Sequence, residues 1–297
     1  MSILSVNHIA GRNGRITVNS VLDFTQSKGL VLPKWTTSER PSNPEVGMTG
    51  LNIDDDVWEI YNGNEWLAVD GERNSIPGNQ FVLLDATNTE SYPGSGTVWY
   101  DISGNNRNFN IASDAFNSGQ RYMDFQAGGR QAKNGGDLSL EGDVSYVVVT
   151  RPRNSTSEWR TLTRSYSADH HVIIQSGAWN IGMYDNNGSG FIGTGYSQQS
   201  LPGYSGNQFM VMIWRWSNND SPTYELTVNG SQVGTISNSN ARYNRGFGSI
   251  GGYHNGNQSP TSGSQPWGDI RLFAAYDRRL TDAEVAQATS ALSSYLF

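Results

Sequence analysis

Residues 30–69, LVLPKWTTSERPSNPEVGMTGLNIDDDVWEIYNGNEWLAV, are too few to fold alone and too apolar for a linker, so the rest of the chain must be arranged around them. Three short extended pieces are expected at 48–53, 57–61 and 65–69, turned by Asp54-Asp55-Asp56 and Asn62-Gly63-Asn64. Asn-Gly beside alternating apolar residues is a strong hairpin signal, because the tight turn needs positive φ at both central positions. At a period of two, Trp58 and Ile60 share one face while Val57 and Tyr61 take the other. A sheet this small, carrying Trp58, Trp66 and Tyr61, cannot bury both faces unaided. Either it packs on the domain downstream, or copies from several chains pack on one another.

The 297 residues hold no cysteine, a formal charge of -7 and an excess of Gly, Asn, Ser, Trp and Tyr, which is a globular β profile. The length allows one β domain of about 200–250 residues plus a small module. Without cysteine there is no disulfide scaffold and no thiolate metal site. No early charged-then-apolar segment reads as a signal peptide, and no apolar run approaches the roughly 20 residues that span a bilayer, so no membrane insertion is expected. Scattered Lys and Arg on an acidic background leave no footprint for nucleic acid, and the negative balance reads as a solubility charge.

Residues 1–29 hold two candidate strands, 3–9 and 15–21, around Gly11-Arg12-Asn13-Gly14. Their apolar face is thin, which suits an anchoring arm ordered by docking, or a frayed terminus. Pro33, Pro41 and Pro44 then hold residues 31–45 extended. The run GLVLP at 29–33, R-P-x-x-P-x-x-G-M at 40–48, N-x-D at 52–54 and E-x-Y-N-G-x-x-W at 59–66 is similar to a module of bacteriophage tail-fibre and other virion appendage proteins. Its end, an Asn-Gly turn followed by Glu-Trp, also resembles the trimerising foldon hairpin of fibritin. The resemblance implies a virion protein that contacts other virion proteins through its N-terminal part. It further implies a homotrimer held by residues 30–72, with Trp58, Ile60, Tyr61 and Trp66 as the assembly residues.

Residues 70–78 are polar, with Gly71, Pro77 and Gly78, and mark a domain boundary. From 79 to 297 short strands follow one another with turns between and no interleaved helices, which argues an antiparallel β-sandwich or jelly roll. In 224–233, Tyr224, Leu226 and Val228 alternate with Glu225 and Thr227 before Asn229-Gly230 turns the chain. The preceding strand, FMVMIWRW at 209–216, is apolar on both faces up to Arg215 and should be central. Trp214 and Trp216 share a face, as a core ladder or as a sugar-stacking platform. The chain ends in one helix. Thr281 is its N-cap, Glu284 completes a capping box, Leu280 and Val285 form a staple, and Val285, Thr289, Leu292 and Leu296 make its apolar stripe.

Leu84-Asp85-Ala86, Tyr92-Pro93-Gly94-Ser95-Gly96, Trp99-Tyr100-Asp101-Ile102-Ser103-Gly104-Asn105, the 226–230 hairpin, Gly268-Asp269-Ile270-Arg271 and the stretch from Ala275 to Thr281 with Glu284 resemble the concanavalin A-like, laminin-G-like lectin and glucanase superfamily. The resemblance implies two antiparallel sheets, one of them concave. It leaves glycan binding, calcium binding, hydrolysis and a purely structural role open.

A glycosidase needs two carboxylates facing each other across a sugar. The glucanase pattern Glu-x-Asp-x-(x)-Glu does not occur between 79 and 297, and the one acid cluster, Asp54 to Asp56 with Glu59, lies at a turn, so the chain is expected not to be an enzyme. His170 and His171 are consecutive and would face opposite ways on a strand, so they read as surface polar residues. Zinc has no supporting spacing. Calcium stays open through Asp101, Asp137, Asp143 and Asp185, which lie near Gly and Asn loops. Two loops combine aromatic anchors with adaptable polar groups: Tyr184, Asp185, Asn186, Asn187 and Tyr196 in one, Tyr253, His254, Asn255 and Trp267 in the other. These are the candidate ligand residues. The expectation is a virion appendage, tail fibre or capsid-attached spike, whose sandwich binds host-surface glycan. The alternatives are a capsid decoration or cement protein, and a polysaccharide depolymerase.

Overall fold

The computed structural model describes residues 33–54, 57–68, 75–126, 129–140, 142–154, 157–165, 170–186, 190–217, 224–237, 246–253 and 264–296. The expected arm at 1–29, Asp55, Asp56, Asn187, His254 and Asn255 lie outside these residues. The chain divides into two compact units, Met1–Arg73 and Asn74–Phe297.

In the first unit Thr49–Asn52, Val57–Tyr61 and Trp66–Ala68 form an antiparallel meander, and Lys34–Trp35 pairs parallel on its edge. Leu51 stands opposite Trp58, Ile60 opposite Leu67, and Tyr61 opposite Trp66. Residues opposite one another share a face, so Leu51, Trp58, Ile60 and Leu67 form one side of the sheet, and Glu59, Tyr61 and Trp66 the other. The four residues expected to hold an assembly therefore divide between the two faces, Trp58 and Ile60 on one, Tyr61 and Trp66 on the other. Trp66 and Tyr61 pack inward, with ring centroids 5.5 Å apart and Trp35 5.1 Å from Trp66, while Trp58 on the far side is 43% exposed.

The inner side is organised around a charge. Glu59, 3% exposed, accepts hydrogen bonds from Arg40 Nε at 3.0 Å, Asn52 Nδ2 at 3.1 Å and Trp35 Nε1 at 3.1 Å. The Arg40 bonds outweigh the cost of burial and, with those from Asn52 and Trp35, hold its carboxyl down at about 2. Asp54 accepts the Thr37 N–H at 2.9 Å, and Asn62 Oδ1 accepts the N–H groups of Asn64 and Glu65. Arg40, Asn52, Asp54, Glu59 and Asn62, which carry the virion-module pattern, are therefore framework residues of this unit.

The second unit is an antiparallel sandwich of two eight-stranded sheets. In the first, Gly190–Ser197, Asn180–Asp185, His170–Ile174, Arg160–Arg164, Phe247–Ile250, Ala132–Leu138, Phe109–Asn110 and Val98–Trp99 lie side by side. In the second the order is Ser231–Ile236, Tyr224–Val228, Met210–Trp216, Val144–Pro152, Gly268–Tyr276, Tyr122–Phe125 and Phe116–Asn117, with Val82–Asp85 also on Gly268–Tyr276. Val144–Pro152 is central and apolar on both sides. Val144, Tyr146 and Val148 enter the core between the sheets, while Val147 and Val149 join Val211, Ile213, Leu272 and Ala274 on the outer face, beneath the helix Asp282–Ala291.

Thr281 caps that helix. Its Oγ1 accepts the Glu284 N–H, and a Glu284 carboxylate oxygen accepts the Thr281 N–H at 2.8 Å. The buried stripe is Val285, Ala288, Ala291 and Leu292; Thr289, expected in it, instead donates its hydroxyl to Val285 O. Arg215, on the outer face of Met210–Trp216, bonds Asp282 at 2.7 Å and Glu225 at 2.8 Å, tying the helix start to the sheet. No helix among the described residues is long and apolar enough to cross a membrane.

Candidate functional site

Trp214 and Trp216 are buried in the core between the sheets, so the platform reading gives way to the core ladder. Trp267 is corrected in the same way. It is fully buried, donates Nε1–H to Thr150 Oγ1 at 2.8 Å and meets Trp214 edge-on. Its Gly- and Ser-rich approach in sequence hides that it immediately precedes the strand Gly268–Tyr276 and faces inward with it.

The outer side of the first sheet does bring the two predicted loops together. Leu162, Val172, Ile174, Ile181 and Met183 fill the core from this sheet, while Ile173 and Tyr184 face the other way. With Trp159, His170, Asn186, Tyr253 and Gln265 they line a groove of about 270 Å³. Tyr184 and Asn186 come from one predicted loop and Tyr253 from the other. Asp185, at the end of its strand, and Tyr196, 41% exposed on Gly190–Ser197, do not line it.

The aromatic walls brace one another. Trp159 meets Tyr184 edge-on at 5.6 Å and Phe191 at 5.6 Å; His170 meets Tyr184 edge-on at 5.9 Å and stacks on Tyr253 at 5.4 Å. Beneath them a hydrogen-bonded chain joins His170 Nδ1, Thr161 Oγ1 and Gln265 Oε1, at 2.9 and 2.7 Å. Gln265 holds a left-handed backbone with φ 52°, a conformation that costs energy in a non-glycine residue and that its bonds to Thr161 maintain.

His170 and His171 take opposite sides of their strand, as the period of two requires. Neither is a surface residue, and this corrects the sequence reading. His171 is buried in the core against Tyr146, whose hydroxyl lies 3.0 Å from its Nδ1. His170 is 4% exposed, and burial, with Arg164 and His171 nearby, pushes its pKa down to about 3. It is neutral at ordinary pH.

A larger concavity, about 530 Å³, lies between Arg121 and Tyr295, and three of its polar side chains hold the chain in place. Arg121 bonds Thr87 O and Tyr92 O, Arg271 bonds Tyr295 O, and the Tyr295 hydroxyl bonds Asp85 at 2.7 Å. It carries no cluster of aromatic anchors.

Asp101, a calcium candidate from sequence, has both carboxylate oxygens engaged by backbone N–H groups: Leu83 at 2.9 Å, Ser103 at 3.0 Å and Arg107 at 2.8 Å. It ties a loop rather than offering a cation site. Among the described residues no group of three or more His, Asp or Glu side chains is placed to hold a metal ion.

No protein-family model matches the chain, and no curated protein matches it. Solved structures do. Trypanosoma rangeli sialidase in complex with 2,3-difluorosialic acid aligns at TM-score 0.52 and 12% identity over 84% of this chain and 46% of that one. The same enzyme in complex with sialic acid aligns at TM-score 0.50 and 12% identity over 84% and 45%. The carbohydrate-binding CBM40 of Ruminococcus gnavus IT-sialidase, bound to α2,3-sialyllactose, aligns with 55% of this chain and 95% of its own at 16% identity and a TM-score of 0.37. The chain spans less than half the length of the two sialidase structures. At such identities the likeness is one of fold, and it agrees with the β-sandwich. It also overturns the expectation that the chain is not an enzyme, because the matched fold occurs within enzymes.

Proposed function

We propose that the sandwich binds glycan in the groove on the outer side of its first sheet. The observation that carries this is the convergence of Trp159, Tyr184 and Tyr253 around the polar ends of His170, Asn186 and Gln265. Aromatic rings accept the apolar face of a sugar while fixed polar groups meet its hydroxyls, and both kinds of group here are held in place by their neighbours. The sialic acid complex of the T. rangeli enzyme supports a sugar as the ligand class.

The setting we propose is a virion appendage that faces a host surface, on the strength of the module pattern at 29–66. The small unit is the assembly element. Val46, Ile53, Trp58 and Leu67, four of the six large apolar residues that are exposed among the described ones, belong to it. Trp58 and Leu67, with Leu51 and Ile60, form an apolar sheet face suited to a second and third copy of the same unit. Linked copies turn weak single-site binding into useful avidity.

The full chain would be tested on a glycan array and on host-cell envelopes, with Trp159→Ala and Tyr184→Ala as site variants. Binding that both variants lose supports the reading; binding that neither affects places the ligand elsewhere. Light scattering of the parent and Trp58→Lys tests assembly, where a monomeric parent removes the assembly role.

A further inference from the structure

The groove carries no formal charge among its described lining residues. Trp159, Ile173, Tyr184, Asn186, Tyr253 and Gln265 are uncharged, and buried His170 is neutral. The chain that forms this side of the first sheet continues the pattern: residues 165–197 and 246–265 contain neither Lys nor Arg, yet hold Asp169 and Asp185. The arginines of the neighbouring 153–164 segment are paired or buried. Arg153 pairs with Glu158. Arg160 is fully buried and donates to Arg153 O at 2.7 Å and Gln198 Oε1 at 2.6 Å. Arg164 is 6% exposed, with its guanidinium 4.2 Å from the centre of the Tyr253 ring.

The hydrogen-bond order beneath the groove points the same way. The Thr161 hydroxyl has one proton and gives it to Gln265 Oε1, so the bond between Thr161 Oγ1 and His170 Nδ1 must be donated by the imidazole. That fixes the Nδ1–H tautomer and makes Nε2 an acceptor. With its carbonyl oxygen engaged, Gln265 keeps its amide nitrogen as a donor. An acceptor beside a donor suits hydroxyl groups, which do both; a carboxylate only accepts and would meet a lone pair at His170. The volume, about 270 Å³, lies below the roughly 300–1,000 Å³ of drug-sized pockets and suits one ring.

Resting on the glycan-binding reading above, we infer that the groove takes a single uncharged pyranose ring through its hydroxyls and rejects acidic sugars, including the sialic acid bound by its structural neighbour. Recognition here works by stacking and paired hydrogen bonds, without a cation to neutralise a carboxylate.

Calorimetric titration of the full chain would use the methyl glycosides of glucose, galactose, mannose and N-acetylglucosamine, with N-acetylneuraminic acid and glucuronic acid as the acidic set. At least one neutral glycoside should bind about tenfold or more tightly than either acid. That affinity should be unchanged between about 50 and about 500 mM salt, since no charge pair is screened. Tyr184→Ala should abolish it, and Gln265→Glu, which exchanges the donor for an acceptor of the same size, should weaken it about tenfold while circular dichroism stays that of the parent. An acid that binds as tightly as the best neutral sugar, and does so through Tyr184, overturns the inference and leaves glycan binding standing. Absence of binding to all six probes and to the array overturns glycan binding, and the inference with it.

Discussion

The His170 imidazole stacks on the Tyr253 ring, with centroids 5.4 Å apart and planes inclined by 17°. Burial beside Arg164 and His171 keeps the ring neutral down to about pH 3 in the folded chain, while an unfolded histidine gains its proton near 6.5. Between these values the unfolded state binds the extra proton, so stability falls as pH drops, by up to about 1.4 kcal/mol per pH unit. His170→Gln should flatten this part of the curve, measured by urea unfolding from pH 7 to pH 4. Ligand affinity of the parent should show no inflection near 6.5; one that titrates there would place a protonated imidazole in the groove.

Glu59 behaves in the opposite sense. Its carboxyl is held down at about 2, chiefly by Arg40, so the stability it lends is present above the usual carboxylate range and is lost as pH falls through about 2. Glu59→Ala leaves Arg40, Asn52 and Trp35 Nε1 without their common acceptor, and should destabilise the small unit by about 3–5 kcal/mol. Hydrogen exchange of residues 33–68 would show it, with the Trp35 indole N–H the first reporter. Exchange rates equal to the parent's would make the cluster a surface feature of no consequence.

How much was legible follows the range of the contacts. The 224–236 hairpin, the two-sided strand at 209–216 and the helix cap at Thr281 are written in neighbouring residues, and the structure has each of them. The groove is not local. Tyr184 and Tyr253 stand out in the sequence as aromatic loop residues, but their meeting depends on the order of strands in the first sheet, which no spacing states. Trp159 and Ile173 carry no pattern that marks them as ligand residues, and His170 reads as a surface residue because it and His171 face opposite ways on a strand and cannot share one metal or nucleophile. Trp267 misleads for the converse reason: its polar approach is a loop, while the residue itself is buried and leads directly into the strand Gly268–Tyr276. In the small unit the period of two separated Trp58 and Ile60 from Tyr61, yet only the pairing of Tyr61 with Trp66 shows which face Trp66 joins.

Thr281 starts a helix whose buried side closes the outer face of the second sheet. Thr281→Ala removes the acceptor for the Glu284 N–H and should cost about 1 kcal/mol. Glu284→Gln should cost less, since the amide oxygen still accepts the Thr281 N–H and only the ion pair with Arg278, on a partly exposed group, is lost. Thermal unfolding in which Thr281→Ala matches the parent would deny the cap its role.

Gly182 lies in the strand that presents Tyr184 and faces Gly193 across the strand pair. A methyl group on Gly182 would sit 2.1 Å from the carbonyl oxygen of Ile192 and 2.9 Å from the Gly193 Cα, both of them backbone atoms that cannot turn aside. Gly182→Ala must therefore part the strands Asn180–Asp185 and Gly190–Ser197, at a cost of about 1–3 kcal/mol. Because Tyr184 is two residues further along and braces both Trp159 and His170, the same change should displace the groove wall and weaken ligand binding. Gly193→Ala is the control. Its methyl group would meet the Phe191 ring at 3.1 Å, a side chain able to shift, so stability and binding should change less. Equal losses from the two substitutions would mean that the strand pair tolerates separation and that Tyr184 is placed by something other than the close approach at Gly182.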